Sequence, residues 1–206
     1  MKHKEDLILI GGGGHCRSCI DVIEMEGRFT ICGIIDEKEY LDATLSTYPL
    51  LGREEDLCEL VKSFKHFLIT IGQIKSPEPR IRLFDYLKEL GMVLPIIVSP
   101  LAHVSRQAML AEGTIIMHDA LVNAGASVGR NCIINTKALI EHDAVVEDHC
   151  HISTAAVVNG AAKVRRSSFI GSNAVLREAV VVGEASIVGA GVTVLRSVDA
   201  GSVIRS

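Results

Sequence analysis

The fold is decided by residues 134–152, which read INTKALIEHDAVVEDHCHI and repeat one pattern every six positions. The large aliphatic residues that recur at this period are Ile134, Ile140, Val146 and Ile152, and a small residue follows each of them four positions later. The period continues without insertion from Val104 to Val194, and all sixteen of its positions hold Val, Ile or Leu. Because an α-helix has no six-residue period, the pattern predicts a solenoid of stacked coils over residues 100–206.

Residues 1–99 follow different rules, because apolar runs alternate there with segments of helical spacing. Strands are expected at 6–10, 30–35, 67–71 and 92–98, and helices at 16–26, 53–64 and 79–90. This alternation is typical of a Rossmann-like parallel sheet covered by helices. All five prolines and seven of the eight aromatic residues lie at or before residue 100, which places the domain boundary between residues 99 and 100.

Bulk composition excludes several classes of protein. The chain has 206 residues and a net charge of −4, so it lacks the basic character of a nucleic-acid-binding protein. No run of 18 apolar residues occurs, so no membrane span is expected. The amino terminus does not resemble a signal peptide, and scattered thiols suit a reducing compartment, so the protein is expected to be cytoplasmic.

Cys16 and Cys19 form a C-x-x-C pair, which is compatible with a redox or zinc site. No second cysteine pair completes such a site. The favoured interpretation is therefore that both thiols are small, partly buried side chains of the first helix.

The repeat carries a polar cluster, EHDAVVEDHCH at residues 141–151, that the solenoid itself does not require. One reading is a solvated face. A second is a metal site formed by His142, His149 and His151, although their spacing does not obviously converge on one ion. The favoured reading is a general base, since histidine has a suitable pKa and a neighbouring carboxylate would orient it. Either Glu141 or Asp143 could be that carboxylate.

A glycine-rich loop, Gly11 to Gly14 followed by His15, joins the first strand to the first helix. Exposed amides at a helix amino terminus bind phosphate well. The loop does not match the G-x-G-x-x-G fingerprint, because Cys16 or Arg17 occupies the position of the last glycine. The sequence therefore gives only weak support for the binding of a dinucleotide. The plain alternative for His15 is a helix-start residue without a ligand.

These motifs together resemble the bacterial nucleotide-sugar N-acetyltransferases and the related sialic acid O-acetyltransferase family. The resemblance covers nearly the whole chain and implies a left-handed parallel β-helix, acetyl-CoA as cosubstrate and a homotrimer. It implies that His142 is the general base, modulated by the acid that follows it, Asp143. No metal is expected. The cofactor contacts that the resemblance implies are His151, Gly160, Gly171, Ser172, Gly189 and Ala190.

The same resemblance assigns the nucleotide sugar to the amino-terminal domain. The implied contacts are Gly12, Gly13, Gly14, His15, Asp36, Glu37 and Gly52. The expected reaction is acetylation of the amino group of a nucleotide-linked amino sugar, in surface-glycan or nonulosonic acid biosynthesis. The alternatives are O-acetylation of a sialic acid-like sugar, and a trimeric scaffold or sensor without activity. After the last coil the chain ends in GSVIRS instead of the family's G-x-P-A-K, so any contact of that tail to CoA is expected to be absent or replaced.

Overall fold

The computed structural model describes residues 4–37, 45 and 47–205. The first part is a four-stranded parallel sheet in the order β3-β2-β1-β4, with helices packed against it. Its elements are β1 (Glu5–Ile10), α1 (Gly14–Glu26), β2 (Phe29–Ile35), β3 (Leu50–Gly52), α2 (Leu57–Leu60), β4 (His66–Ile69) and α3 (Glu78–Glu89).

Two predicted elements of this part are wrong. The strand expected at 92–98 is divided: Val93 forms only an isolated bridge with His66, and Ile97–Val98 belongs to the solenoid. Pro95, which has no amide hydrogen for a ladder, lies between the two pieces. The helix expected at 53–64 begins as a 3-10 turn at Glu54–Asp56, and its α-helical part is confined to α2.

The second part is a parallel β-helix of two-residue strands with three faces, and its core is confirmed as predicted. Face I contains β5 (Ile97–Val98), β8 (Ile115–Ile116), β11 (Ile133–Ile134), β14 (His151–Ile152), β17 (Phe169–Ile170), β20 (Ile187–Val188) and β22 (Val203–Ile204). Face II contains β6 (His103–Val104), β9 (Leu121–Val122), β12 (Leu139–Ile140), β15 (Val157–Val158), β18 (Val175–Leu176) and β21 (Thr193–Val194). Face III contains β7 (Met109–Leu110), β10 (Ser127–Val128), β13 (Val145–Val146), β16 (Lys163–Val164) and β19 (Val181–Val182).

The periodic aliphatic residue is the second residue of its strand and points to the axis, where it packs with the small residues of the turns. The phase holds through Val194. It then shortens by two residues, because Val182 bridges Val198 and Ile187 pairs with Val203. The boundary expected at residues 99 and 100 stays a prediction; the first solenoid strand, β5, precedes it.

Each edge of the prism is turned by a residue in the left-handed region. From Gly113 to Gly191 every sixth residue has a positive φ, including Asp143 at 59° and His149 at 60°. Side chains at these positions range from Ala to Lys, so the turn imposes the conformation and glycine is not required.

The edge from face III to face I carries a ladder of buried small donors. They are Thr114, Cys132, Cys150, Ser168 and Ser186, one in each successive coil. Each donates from its hydroxyl or thiol to a carbonyl oxygen in the next coil; Cys150 Sγ, for instance, lies 3.1 Å from Arg165 O. Burial raises the pKa of the Cys132 thiol to about 12, so this thiol is a structural donor.

Face I packs against the amino-terminal part. Ile97, Ile115 and Ile133 share one core cluster with the buried side of α1. His118 links the two parts, with Nδ1 2.6 Å from Ser99 Oγ and Nε2 2.7 Å from Asp21 Oδ2 on α1. Within the described ranges, none of the helices is both long enough and apolar enough to cross a bilayer.

Candidate active site

A pocket of about 740 Å³ opens where the start of α1 meets the edge between faces I and II. The amino-terminal part contributes Gly14 and His15 from the glycine loop and Gln73 from the segment after β4. The β-helix contributes Asn135, Ser153, His151, Phe169, Gly171, Ser172 and Ala190. The structure therefore brings predicted residues of the sugar site and of the cofactor site to one cavity, with the His15 and His151 ring centroids 6.5 Å apart.

His151 is held as a neutral ring with a defined tautomer. Its Nδ1 lies 2.5 Å from the carbonyl oxygen of Gln73, so Nδ1 carries the hydrogen. Nε2 then accepts from Asn135 Nδ2 at 3.2 Å. Burial lowers the pKa of His151 to about 4. Because Nε2 is an acceptor in this state, His151 offers no N–H to a ligand in the pocket.

Behind His151 lies a buried polar network around Arg80. The Arg80 guanidinium donates to the carbonyl oxygens of Ile69 and Ile71 and to Oδ1 of Asn131. Asn131 Nδ2 donates to His149 Nδ1 at 3.0 Å. Burial lowers the pKa of Arg80 to about 10, which still leaves it charged at neutral pH.

The network also holds Gln73, the residue that fixes the His151 tautomer. Gln73 Nε2 donates to His149 O at 3.0 Å, and Gln73 is 2% exposed. The loop after β4 is thus attached to the β-helix through both the side chain and the backbone of one residue. This attachment keeps the loop beside the pocket.

His15 is the second residue of α1 and is also held neutral. Burial, with the Arg80 charge and His151 as smaller contributions, lowers its pKa to about 3. Its Nε2 lies 3.4 Å from Cys19 Sγ. Gly13 and Gly14 face open space at the start of this helix, as a phosphate-binding loop requires.

The predicted nucleotide residues Asp36 and Glu37 lie in a second, smaller cavity of about 110 Å³, together with Gly11 and Glu54. Asp36 Oδ2 accepts from the Gly12 amide at 2.5 Å, and its own amide donates to Gly52 O. The cavity adjoins the carboxyl ends of β1 and β2. Of the residues predicted for the nucleotide sugar, Asp36 and Glu37 line this cavity and Gly14 and His15 line the larger pocket, whereas Gly12, Gly13 and Gly52 line neither.

The predicted CoA contacts Gly171, Ser172, Gly189 and Ala190 stack on one edge, between faces I and II. A side chain at Gly171 would meet the Ala190 amide nitrogen at 2.6 Å, so main chain lies directly on main chain here. Ser172 Oγ lies 3.0 Å from Ser153 Oγ. The result is a strip of closely stacked backbone, from which Gly171, Ser172 and Ala190 line the pocket.

His142 and its acids lie elsewhere, on the edge between faces II and III. His142 Nδ1 lies 3.0 Å from Asp143 Oδ2, and this hydrogen bond raises the pKa of His142. Glu141 Oε2 accepts instead from the His142 amide and from Asn123 Nδ2, at 3.0 and 2.9 Å. The partner of the ring is thus Asp143, because the turn brings adjacent side chains to the same side.

Gly160 lies under the His142 ring, one coil further on. A side chain there would meet His142 Nε2 at 2.7 Å, and Nε2 is the nitrogen that the dyad leaves free. Two coils before Gly160, the equivalent amide, that of Ala124, donates to the side chain of the preceding residue, Asn123. The residue that precedes Gly160 is Asn159, and its side chain instead donates through Nδ2 to Leu176 O. The Gly160 amide has no acceptor among the residues that the structure describes.

Gly160 therefore lies beside His142, apart from the other residues that were predicted to contact the cofactor. Of the remaining members of that set, His151, Gly171, Ser172 and Ala190 line the large pocket, on the opposite edge of face II, whereas Gly189 does not. Within one chain, His142 does not line that pocket.

The structure gives little support to a metal site or to a reactive cysteine pair. His142, His149 and His151 point to different surroundings, and no group of three metal-type ligands occurs in the part of the chain that is described. Burial raises the pKa of the Cys16 thiol to about 11, and burial likewise raises that of Cys19. Both lie in the core on α1, which fits the structural interpretation of the C-x-x-C pair.

Sequence reasoning missed Gln73, Asn135 and Phe169. Asn135 had a usable signal, because a polar residue also opens the turns at Asn123 and Asn159. Gln73 had none, since its role depends on a loop that packs onto a distant coil.

Stacked hexapeptide coils preceded by a parallel sheet with a glycine loop define the class: a hexapeptide-repeat acyltransferase fold with an added amino-terminal domain. Residues 6–87 match the family model of the PglD N-terminal domain. No curated protein sequence matches the chain.

Solved structures match over nearly the whole chain. Perosamine N-acetyltransferase from Caulobacter crescentus, a histidine-to-asparagine variant in complex with CoA and GDP-perosamine, is 27% identical with a TM-score of 0.89. That match covers 96% of this chain and 92% of the other. The acetyltransferase domain of PglB from Neisseria gonorrhoeae, in complex with acetyl coenzyme A, is 25% identical with a TM-score of 0.90, covering 98% and 96%.

WeeI from Acinetobacter baumannii shares the fold, with 19% identity, a TM-score of 0.84 and coverage of 97% and 96%. The matches confirm the predicted fold class and the predicted resemblance to the bacterial sugar acetyltransferases.

Proposed function

We propose that this protein transfers acetyl from acetyl-CoA to the amino group of a nucleotide-linked amino sugar. The observation that carries the proposal is the single pocket shared by the glycine loop of the first part and the backbone strip of the β-helix. The similarity to perosamine N-acetyltransferase in complex with CoA and GDP-perosamine, over 96% of the chain, supports the same pairing of substrates.

We further propose that the site is completed between subunits of a trimer. The outward residues of face II are aliphatic in four successive coils, namely Leu121, Leu139, Val157 and Val175. The pocket and His142 lie on the two edges that border this face. If three copies meet around face II, the edge that carries His142 approaches the pocket of its neighbour.

The proposed chemistry is direct transfer. Acetyl-CoA supplies an activated thioester; the amine attacks its carbonyl carbon, a C–N bond forms and the C–S bond breaks. His142 Nε2 takes one proton from the attacking nitrogen and passes it to the departing thiolate. Asp143 stabilises the cationic ring, and the free Gly160 amide is placed to donate to the oxygen that becomes negative.

The alternative acceptor, a hydroxyl of a sialic acid-like sugar, has no observation in its favour. Among the similar structures, perosamine N-acetyltransferase is in complex with GDP-perosamine, a nucleotide-linked amino sugar. A scaffold without activity would not need the free Nε2 of His142 or the neighbouring His15 and His151 rings of the pocket.

We place the protein in the cytoplasm, since acetyl-CoA and sugar nucleotides are charged molecules that do not cross a bilayer unaided and all six cysteines are free.

The proposal is tested by incubating the protein with acetyl-CoA and a panel of acceptors. The panel contains GDP-, UDP- and dTDP-linked amino sugars, the matching hydroxy sugars and free sialic acid, with thiol release and product mass as readouts. Acetylation of an amino sugar nucleotide is expected, and His142→Ala should reduce its turnover at least ~100-fold. Acetylation of sialic acid alone, or no turnover with any acceptor, would contradict the proposal.

A further inference from the structure

The coil that precedes the His142–Asp143 dyad contains a glycine in contact with the acid. At the edge between faces II and III, residues 123–126 read NAGA and residues 141–144 read EHDA. The Asp143 carboxylate turns back toward the earlier coil and lies against the α-carbon of Gly125. A side chain on Gly125 would overlap Asp143 Oδ1.

The backbone of this turn also accepts residues other than glycine. Gly125 has a φ of 73°, but four equivalent turn positions hold alanine with φ between 54° and 58°. Those alanines are Ala155, Ala161, Ala179 and Ala185. A methyl group is therefore compatible with this turn, and at Gly125 it would require the carboxylate of Asp143 to move.

We propose that Gly125 is a positioning residue, whose missing side chain lets the Asp143 carboxylate stay on Nδ1 of His142. The proposal rests on the proposed function, in which His142 is the base. Gly125 touches neither substrate nor the reacting nitrogen. It acts through Asp143, which in turn fixes which nitrogen of the ring carries the hydrogen and which one stays free.

Few other charges face the ring. Glu141 is the second acid beside His142, and its carboxylate is anchored by Asn123 and by the His142 amide. The turns at 123–126 and 159–162, one coil before and one coil after, contain no titratable side chain. A change in the titration of His142 after substitution of Gly125 therefore reports mainly on the Asp143 contact.

The test is Gly125→Ala, with the titration of His142 followed by NMR in the absence of substrates and the pH profile of kcat/KM followed in parallel. We expect the His142 pKa to fall in the same direction as in Asp143→Ala. Turnover near neutral pH should drop about 10- to 100-fold, the usual consequence of a displaced catalytic group.

A matched control is Gly201→Ala, which introduces the same methyl group at a turn glycine with a φ of 71° and open space around it. It should leave both readouts at their wild-type values. In a double-mutant cycle, Gly125→Ala should have little further effect once Asp143→Ala has removed the carboxylate.

An unchanged His142 titration in Gly125→Ala, or an equal loss in the Asp143→Ala background, would overturn the positioning role. The NMR readout separates this from failure of the proposed function. If His142→Ala retains turnover while Gly125→Ala still shifts the titration, the base assignment fails and the positioning role stands.

Discussion

At the scale of single residues, the turns of the β-helix decide which groups meet. In a strand, adjacent side chains point to opposite faces, so His142 and Asp143 would be separated. The left-handed residue at position 143 places both side chains on the outside of an edge. The same geometry holds Glu141 away from the ring. The sequence left open whether Glu141 or Asp143 is the partner of the His142 ring. The positive φ of Asp143 decides it.

The buried histidines of the pocket give a testable dependence of stability on pH. The pKa of His151 is about 4 in the folded chain, below the ordinary value of about 6.5, so the unfolded chain binds more protons between these values. The free energy of unfolding should therefore fall as the pH drops from about 6.5 toward 4. His15, with a pKa of about 3, acts in the same direction.

The substitution His151→Gln removes one of the two groups that take up a proton on unfolding in acid. The free energy of unfolding should therefore decline less steeply with falling pH, by up to about 1.4 kcal/mol per pH unit. Urea unfolding at several pH values measures it. Above pH 7, where both rings are neutral in either state, the two curves should run parallel. An equally steep acid decline in the variant would show that His151 is not held neutral.

At the scale of elements, α3 and the loop after β4 are attached to the β-helix through polar groups. Arg80 from α3 and Gln73 from the loop both bond to coils that carry Asn131 and His149. The pocket thus depends on contacts between parts of the chain that are far apart in sequence.

Asn131→Ala should destabilise the protein by about 1–3 kcal/mol, because it removes the side-chain acceptor of Nη2 of the buried Arg80 guanidinium and the amide group that pairs with His149 Nδ1. The turn itself tolerates alanine, as at Ala161. Chemical unfolding measures the loss. Asn173→Ala is the control, since Asn173 has the same left-handed φ of 55° but is exposed, and its loss should stay within about 0.5 kcal/mol. Equal effects of the two variants would contradict this account of the network.

The predictability of the fold differed between the two parts for a physical reason. The β-helix buries one aliphatic and one small residue per turn, so the sequence of residues 104–194 shows the six-residue period directly. Short strands such as β3 lack such a pattern, and Pro95 divided a run that looked continuous. The glycine loop and the polar turn were recognisable as candidate sites, whereas Gln73 and Gly125 depend on contacts between coils and loops that no local pattern encodes.

At the scale of the whole molecule, the two halves of the site border the same apolar face. Leu139→Lys should therefore prevent assembly around face II and abolish turnover together with it, because a buried charge in an apolar interface is costly. Sedimentation and activity are measured on the same samples. Met109→Lys is the control, since Met109 is 67% exposed on face III and its replacement should leave the assembly intact. Full activity of a monomeric Leu139→Lys protein would contradict the shared site.

The most direct test of the account is complementation between two inactive variants. His142→Ala lacks the base, and His15→Ala lacks a residue of the pocket, so each protein alone should show little turnover. In each mixed trimer formed by coexpression, one of the three sites, about one third, pairs an intact His142 with an intact neighbouring pocket. We predict that mixed trimers regain acetyl transfer to the amino sugar nucleotide in that proportion. Trimers verified as mixed that stay inactive would contradict the account.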